Sequence, residues 1–378
     1  MAVAGLIFSN IHDAAIPELT NIRTMASIPF GGRYRLVDFP LSNMVNSGIT
    51  KIGIITHDNY QSLMDHIGTG KDWDLARRSG GIKILPPFIS TSGYASNSPR
   101  LYASRLEALF SATTFISRCN EDHIVLSDCD GICNIDLNKV VDEHIARNAD
   151  LTIVTRPYTP GSSLPPDGAT VITANEQGEI VETAAYTPVS EEIEISTNII
   201  VVNRMFLLNL LSDASVHGQK HFYRDALSKR LGKARIYRYR YEGIYLQISS
   251  MKSYFENSMR LLEPEAREGL FGVKGAPIYT KLRNSAPTLY TKDAKVSNSY
   301  VADGCVIEGE VENSIIFRGV HIGKGTVVRN SILMQGSFTG NRVMLNCVVA
   351  DKNTTIRDGR MLSGHETMPF FIPKGTML

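Results

Sequence analysis

The chain has 378 residues, of which 43% are hydrophobic and 20% are charged, and its formal net charge at pH 7 is +1. A chain of this length and composition can bury a large core and is long enough for two or three domains. The small net charge gives no electrostatic reason to expect binding to nucleic acid or to an anionic membrane. The apolar N-terminal start is too short to span a membrane and lacks the basic lead of a signal peptide, so we expect a cytoplasmic protein.

The first two-thirds of the chain alternate between strand and helix patterns. Short apolar runs, rich in β-branched residues, lie at residues 3–8, 51–56, 123–126, 151–155 and 198–202. Residues 137–147 have the apolar spacing that is typical of a helix. This alternation predicts an α/β fold in which helices cover a mostly parallel, Rossmann-like sheet.

Three further features of the sequence carry predictions. Residues 89–100 are rich in Ser, Asn and Gly, which predicts an exposed loop. Residues 237–241 alternate tyrosine with arginine, a pattern that favours a half-buried strand over a base-stacking surface. The cysteines are odd in number and scattered, so we expect reduced core thiols rather than a disulfide framework or a metal site. They are Cys119, Cys129, Cys133, Cys305 and Cys347.

The last hundred residues contain a repeat. A tetrad that begins with Asn recurs every 15 to 17 residues. Its copies are NSYV at 298–301, NSII at 313–316, NSIL at 330–333 and NCVV at 346–349. This periodicity predicts a left-handed parallel β-helix of hexapeptide repeats, whose flat faces and open ends suit subunit contacts. We therefore expect an α/β domain at 1–263, a linker at 264–286 and a β-helix assembly domain at 287–378.

Hexapeptide repeats also occur in acyltransferases, whose chemistry needs a positioned histidine base. His321 and His365 are the candidates, but the sequence around each favours a surface or interface position. The acyltransferase hypothesis also leaves a long motif in the first domain without a purpose.

That motif is IPFGGRYRLVDFPLSN at residues 28–43, followed by NSGI at 46–49. It resembles the ADP-glucose pyrophosphorylase (glucose-1-phosphate adenylyltransferase) family, and the resemblance runs along almost the whole chain. It implies a nucleotidyltransferase fold with a C-terminal β-helix used in tetramers. It also implies the Mg²⁺-dependent conversion of ATP and glucose 1-phosphate to ADP-glucose and pyrophosphate.

The phosphate-binding loop implied by this resemblance is missing. The family has a G-G-x-G-T-R motif after the first strand, where glycines let backbone N–H groups approach phosphates and an arginine neutralises charge. Asn10 and Ile11 stand at the paired glycines, Asp13 at the third glycine and Ala15 at the arginine. Side chains therefore crowd the turn, Asp13 repels phosphate and the guanidinium is absent.

Other active-site positions implied by the resemblance are also changed. The stretch SDCDGICNID at 127–136 keeps one metal carboxylate, Asp130, but Gln247 stands where the second is implied, and a neutral amide binds Mg²⁺ poorly. Two implied lysines and an implied glutamine are replaced by Met25, Tyr186 and Ser111. We therefore expect no catalytic residues, no metal and no cofactor in this chain, with Asp130 as a vestige.

Arg33 and Arg35, in the surviving motif, leave two interpretations open. They could pair with internal carboxylates, or they could form an anion-binding surface that contacts a ligand. A purely structural interpretation makes the motif a turn with basic residues that enters a helix, with Asp38 as a helix N-terminal charge.

An intact scaffold with a dismantled site is similar to the non-catalytic D-type subunits of this family. The resemblance implies a cytoplasmic heterotetramer with a catalytic C-type partner, which holds the Mg²⁺ and whose turnover this chain raises for glycogen synthesis. A weakly active adenylyltransferase is one alternative. An effector-sensing subunit that binds a sugar phosphate or a nucleotide is another, and homo-oligomers of this chain alone stay open.

Overall fold

The computed structural model describes residues 2–77, 80–86, 102, 104–161 and 168–378. The loop expected at residues 89–100 lies outside the described residues. Within the described ranges, no helix is both long enough and apolar enough to cross a membrane. All five cysteines are buried free thiols, as the sequence predicts.

The first unit is an α/β domain. Its described strands are β1 (Val3–Phe8), β2 (Pro29–Phe30), β3 (Tyr34–Arg35), β4 (Lys51–Ile55), β5 (Gly81–Leu85), β6 (His123–Asp128), β7 (Gly131–Cys133), β8 (Leu151–Tyr158), β9 (Thr170–Ala174), β10 (Ile180–Ala185), β11 (Ile193–Asn203), β12 (Ile236–Arg240) and β13 (Tyr245–Gln247). The described α-helices are α1 (Pro17–Thr20), α2 (Asp38–Asn46), α3 (Gln61–Ile67), α4 (Arg105–Ser111), α5 (Thr113–Ser117), α6 (Leu137–Ala146), α7 (Arg204–Val216), α8 (Met251–Met259) and α9 (Pro264–Phe271).

The main sheet follows the order β10-β9-β11-β6-β1-β4-β5, with β8 beside β11 and β12 beside β8. Pairing is parallel from β5 through β4 and β1 to β6, and β11 then pairs antiparallel with β6. The strands predicted from the apolar runs are confirmed as β1, β4, β6, β8 and β11. The predicted helix at 137–147 is α6, and the alternating segment at 237–241 is the half-buried strand β12.

Successive residues of the central strands face two different cores, which explains why these strands are apolar throughout. In β1, Leu6 packs on one side of the sheet with Leu126, whereas Ile7 packs on the other side with Val125. Helix α6 contributes to the core on the Ile7 side, and α4 and α7 contribute to the core on the Leu6 side. The carboxyl ends of β1, β4 and β6 consequently meet at one edge of the sheet.

The second unit is a β-helix made of three parallel five-stranded sheets. The first sheet contains β14 (Leu289–Tyr290), β17 (Val306–Ile307), β20 (His321–Ile322), β23 (Phe338–Thr339) and β26 (Thr355–Ile356). The second sheet contains β15 (Lys295–Ser297), β18 (Glu310–Glu312), β21 (Val327–Arg329), β24 (Met344–Asn346) and β27 (Met361–Ser363). The third sheet contains β16 (Tyr300–Val301), β19 (Ile315–Ile316), β22 (Ile332–Leu333), β25 (Val348–Ala350) and β28 (Phe370–Ile372).

The Asn of the repeated tetrad marks a corner between sheets. Asn298, Asn313 and Asn330 all adopt a positive φ, between 40° and 45°, which asparagine tolerates better than most residues. The fourth tetrad is one residue out of register with the sequence alignment. Ile332 pairs with Val349, so Cys347, with φ 51°, is the structural counterpart of Asn330, and Asn346 is the last residue of β24.

The third sheet joins the β-helix to the first unit. Its side chains alternate in direction, so Leu333 points into the β-helix core while Ile332 belongs to the core shared with the first unit. Ile332, which the repeat alone would place between coils of the β-helix, therefore lies at the junction of the two units. Two of the three β-helix sheets are left without this cover.

Residues 264–286 connect the two units and begin with helix α9. The ring of Phe271 in α9 stacks on Tyr34 at a centroid distance of 4.9 Å. A buried ion pair between Arg23 and Asp351, at 2.6 Å, bridges the first unit and the β-helix directly. The junction is thus both apolar and charged.

Candidate functional site

The turn after β1 occupies the edge of the sheet where the implied phosphate-binding loop would lie. Asn10 is buried and its amide is used internally: Nδ2 donates to the carbonyl of His57 at 2.8 Å, and Oδ1 accepts from the Tyr102 hydroxyl at 3.0 Å. Polar side chains therefore fill this turn in place of the open backbone N–H groups that glycines provide.

Asp13 and Met25, two of the changed positions, contact each other. The backbone N–H of Met25 donates to Asp13 Oδ1 at 2.7 Å, and the Met25 side chain is buried. Burial raises the pKa of Asp13 to about 7, against the effect of the Met25 hydrogen bond. Asp13 is thus a structural acceptor, and its partial charge near neutral pH opposes an approaching phosphate.

Four charged side chains form what we call the carboxylate cluster: His12, Arg105, Asp128 and Asp130. His12 Nε2 lies 2.8 Å from Asp128 Oδ2 and 3.8 Å from Asp130 Oδ1. Arg105 donates through Nη2 to the same oxygen of Asp128. Both aspartates are almost completely buried, so their negative charges are balanced by one imidazolium and one guanidinium rather than by solvent.

The pKa shifts in the carboxylate cluster follow from this packing. Burial alone lowers the pKa of His12, but Asp130 and Asp128 outweigh it and raise the pKa to about 9. Burial raises the pKa of Asp128, but Arg105 and His12 outweigh it, so the net shift is downward. Burial raises the pKa of Asp130, which His12 only partly offsets. His12 is therefore a cation at neutral pH, and the cluster has little net charge.

Gln247 faces the vestigial metal position. Strand β13 pairs antiparallel with β7, which sets Gln247 opposite Gly131, and Gln247 Nε2 donates to Asp130 Oδ2 at 3.4 Å. Within the described ranges, His12, Asp128 and Asp130 are the one group of three side chains whose ligand atoms lie close enough, within 4.8 Å, to surround an ion. Mg²⁺ requires oxygen ligands and negative charge. A protonated histidine and a neutral amide supply neither, so this set does not fit Mg²⁺.

His12 and Arg105 were missed by reasoning from the sequence. Arg105 begins α4, whose N-cap is Ser104, and its guanidinium packs over the rings of Phe8 and Tyr223 at 5.6 and 5.5 Å. Two aspartates at the end of a buried strand need counter-charges, and that requirement was the available signal. It does not say which of many cations supplies them.

The remaining changed positions have ordinary structural surroundings. Ile11 packs against the core on the Leu6 side of the sheet, and Ala15 is exposed in the turn that follows. Ser111 Oγ donates to the carbonyl of Ala108 at 2.6 Å at the end of α4. Tyr186, at an implied lysine position, meets the ring of Tyr158 edge-on at 5.9 Å. The structure surrounds none of these four with the charges that a phosphate group would need.

Arg33 and Arg35 belong to a second charged region, which we call the junction pocket because it lies between the two units. Residues from the first unit, the connecting segment and the β-helix all line it. Its positively charged side chains are Arg33, Arg35, Lys281, Arg283, Arg318 and Lys352, and its lining contains no carboxylate among the described residues.

Most cations of the junction pocket lack a carboxylate partner. Arg318 pairs with Asp303 at 2.8 Å, and it is the one member of the six with such a partner in the part of the chain that the structure describes. Arg35 donates instead to the carbonyl and hydroxyl of Ser62, at 2.5 and 2.9 Å, and burial lowers its pKa to about 10. Arg33 lies over the Tyr34 ring. Their geometry therefore favours the anion-binding interpretation over internal ion pairs.

The two histidines considered for acyl transfer lie on the β-helix surface. The His321 ring stacks on Phe338 at 4.8 Å, and Nε2 is 3.4 Å from Glu308. His365 is exposed, with Nδ1 2.9 Å from the Thr367 hydroxyl. Neither lies in a pocket of the described residues, which gives the acyltransferase hypothesis no support.

Comparison with known proteins agrees with the two-unit architecture. A nucleotidyl transferase family profile matches residues 17–259, and a profile for the GlmU-like C-terminal hexapeptide region matches residues 286–367. Glycogen biosynthesis protein GlgD of Bacillus subtilis (strain 168) is 33% identical over 98% of this chain and 95% of its own length. Glucose-1-phosphate adenylyltransferase of Geobacillus stearothermophilus is 36% identical over 86% of this chain and 82% of its own length.

A second glucose-1-phosphate adenylyltransferase, from Bacillus thuringiensis (strain Al Hakam), is 31% identical over 95% of this chain and 94% of its own length. The matches cover both units and extend through the connecting segment. The chain therefore belongs to the nucleotidyltransferase family of the bacterial glucose-1-phosphate adenylyltransferases, the ADP-glucose pyrophosphorylases.

Proposed function

We propose that this chain is a non-catalytic regulatory subunit of ADP-glucose pyrophosphorylase, which activates a catalytic partner that makes ADP-glucose from ATP and glucose 1-phosphate. The observation that carries the proposal is the carboxylate cluster, in which His12 and Arg105 already balance Asp128 and Asp130. The likeness to a glycogen biosynthesis protein supports glycogen synthesis as the process that the complex serves.

Catalysis by this chain would require charge stabilisation that the site lacks. Nucleotidyl transfer depends on positioning and on neutralising the charge that develops at phosphate oxygens, and one missing electrostatic donor can cost roughly 10²–10³ in rate. Here the turn after β1 is filled by Asn10 and Asp13, and Gln247 replaces a metal carboxylate. These losses act on one transition state, so they are not additive, but together they leave only trace turnover.

Activation of a partner requires only differential binding. If the partner exists in a less active and a more active conformation, a subunit that binds the active one more tightly shifts the population toward it. A preference of about 1.4 kcal/mol shifts that equilibrium tenfold. The Mg²⁺ and the catalytic residues are then those of the partner, and this chain contributes a surface.

We assign that surface to the outward face of the first β-helix sheet. The outward residues of successive strands there form an apolar ladder of Leu289, Val306, His321 and Phe338, with Leu289 58% and Phe338 44% exposed. The second sheet instead presents solvated ion pairs, such as Lys295 with Glu310. An apolar ladder is the better contact for a catalytic subunit, because ion pairs on a surface lose hydration when they are covered.

The activity test compares the purified chain with the mixture. At saturating ATP, glucose 1-phosphate and Mg²⁺, we expect the chain alone to make no more than trace ADP-glucose, and co-expression to raise the turnover of the catalytic subunit. Gln247→Asp should not restore activity, because it returns a carboxylate without a phosphate-binding turn. Turnover by the chain alone within tenfold of an ordinary family member would contradict the proposal and favour the weakly active adenylyltransferase.

The assembly test uses two matched surface substitutions. Phe338→Asp introduces a charge into the apolar ladder, whereas Met361→Asp introduces the same charge on the second sheet at a residue that is 71% exposed. Light scattering of mixtures with the catalytic subunit should show loss of the complex for Phe338→Asp only, with turnover falling to that of the partner alone. A complex that tolerates Phe338→Asp contradicts this face. Loss of a homo-oligomer instead would identify a second copy of this chain as the occupant.

The junction pocket supports a second candidate function, an effector-sensing subunit. Its uncompensated cations suit a phosphate-bearing anion, and it lies between the two units, where a ligand contacts both. In the complex, we expect a phosphorylated effector to change partner turnover with wild type but not with Arg283→Ala. Equal responses from the two chains would count against this candidate.

A further inference from the structure

The charge balance of the junction pocket is unusual for a partly buried region. Six cationic side chains line one opening, and Arg23 lies behind it, paired with Asp351. Like charges at this density repel each other, and burial weakens the screening by water. Such a site can reduce its free energy in two ways: it can bind an anion, or one of its cations can release a proton.

Lys352 is the side chain placed to release that proton. It is half-buried between the two units, and the ammonium has no carboxylate within salt-bridge distance among the described residues. The neighbouring Asp351 carboxylate accepts from Arg23 at 2.6 Å and from the backbone N–H of Lys352 at 2.7 Å, so it is shared. Arginine cannot deprotonate in this setting, whereas a lysine amine can.

The groups that face Lys352 come from every element around it. Arg35 and Arg23 come from the first unit, and Arg283 comes from the connecting segment. His66 also lines the pocket, but its Nε2 is engaged by Asp38 at 2.6 Å and burial lowers its pKa. Burial, followed by Arg35 and Arg23, lowers the pKa of Lys352 to about 6, against the opposing effect of Asp351. Lys352 is then mostly neutral in the free protein above pH 7.

We propose that the junction pocket is a proton-coupled anion site, in which binding of a compact dianion of the phosphate class draws one proton onto Lys352. The inference rests on the second candidate function and adds its regulation by pH. The bound dianion offsets the repulsion from Arg35, Arg23 and Arg283, so the ammonium form of Lys352 becomes the favoured one. The proton comes from solvent, and no covalent bond changes.

The coupling has a definite sign. Between the pKa of Lys352 in the free protein and its higher value in the complex, each bound anion takes up close to one proton. Affinity therefore increases up to tenfold for each unit by which the pH falls across that window, and it levels off below about pH 6. A site made only of arginines would show no such dependence.

The test is calorimetry of sulfate binding to the full-length chain at pH 7.5, in two buffers with different ionisation enthalpies. Sulfate is the probe because it does not titrate near neutral pH, so any proton taken up belongs to the protein. We expect uptake approaching one proton per sulfate in wild type, and a rise in affinity of up to tenfold from pH 8 to pH 7.

Three variants locate the proton. Lys352→Arg keeps the charge permanently and should bind sulfate without proton uptake. Lys352→Met should also lose the uptake, while His66→Gln should retain it. Thermal unfolding of each variant checks that it is folded. Uptake that persists in a folded Lys352→Met or Lys352→Arg chain overturns the proposal, because the proton then belongs to another group.

The outcomes also separate this inference from the function on which it rests. Sulfate binding without proton uptake overturns the proton coupling and leaves the effector-sensing candidate standing. No sulfate binding at millimolar concentrations overturns both. Competition by inorganic phosphate or by glucose 1-phosphate then distinguishes a free anion from a phosphate ester as the source of the phosphoryl chemistry, and either result supports the proposal.

Discussion

The carboxylate cluster and the junction pocket handle buried charge in opposite ways. In the cluster, Asp128 accepts from both His12 and Arg105, so the charges are balanced within the fold. In the junction pocket, five of the six cations have no carboxylate partner among the described residues. The first region has satisfied itself and has no electrostatic need of a ligand, whereas the second favours one. The position of the former chemistry is therefore the less receptive of the two.

The largest expected effect comes from removing one cation from each region. Arg105→Leu leaves Asp128 with one counter-charge in a buried setting and should lower the free energy of unfolding by about 3 kcal/mol. Lys352→Met removes a cation from a repulsive set and should change it by less than about 0.5 kcal/mol, or raise it. Urea unfolding measures both.

A matched control for this comparison is Arg77→Leu, which breaks an ion pair with Asp74 whose side chains are 44% and 85% exposed. Such surface pairs contribute about 0–1 kcal/mol. If Lys352→Met destabilises the chain as much as Arg105→Leu does, the contrast between the two regions is wrong.

The next effect is a pH dependence that belongs to the carboxylate cluster. The pKa of His12 is raised from 6.5 to about 9 in the folded chain, so its contribution is complete below pH 6.5 and disappears as the pH rises through 9. Because 32% of the His12 side chain is exposed, we expect a loss of about 1–2 kcal/mol over this window. Unfolding curves of wild type and His12→Gln at several pH values isolate it. Parallel pH profiles for the two chains would contradict the ion pair.

A smaller effect tests the junction pocket by ligand-linked stability. Sulfate at about five times its dissociation constant should add about 1 kcal/mol to the stability of wild type. Sulfate also stabilises proteins by exclusion from their surface, so the informative quantity is the difference from Arg283→Ala. Thermal unfolding at matched ionic strength provides it. An equal rise in melting temperature in both chains would remove the reason to regard the pocket as a binding site.

The smallest expected effect is none. Mg²⁺ should not strengthen ATP binding by the isolated chain, because His12 and Gln247 occupy the surroundings of Asp130. Calorimetric titration of ATP with and without Mg²⁺ measures this directly. Micromolar, Mg²⁺-dependent binding would contradict the self-neutralised cluster. Weak binding that Mg²⁺ leaves unchanged is the expected result.

The sequence by itself determined the fold class, the two-unit order and the family. Local periodicity was sufficient, because strands buried on both faces are continuously apolar and because each β-helix coil repeats the same corner and core positions. Register was less certain: the fourth tetrad is displaced by one residue, and Ile332 lies at the junction rather than between coils. The sequence also suggested that Gln247 would face Asp130, and the pairing of β13 with β7 sets them together.

Only the tertiary structure decided how charge is distributed. His12 and Asp128 are 116 residues apart in sequence, and the parallel pairing of β1 with β6 brings their neighbourhoods to one sheet edge. Arg35 and Lys352 meet because the third β-helix sheet packs on the first unit. Electrostatic balance depends on distance and burial in space, and neither is encoded in local patterns. The sequence thus revealed which residues the active site had lost, and the fold determined what replaced them.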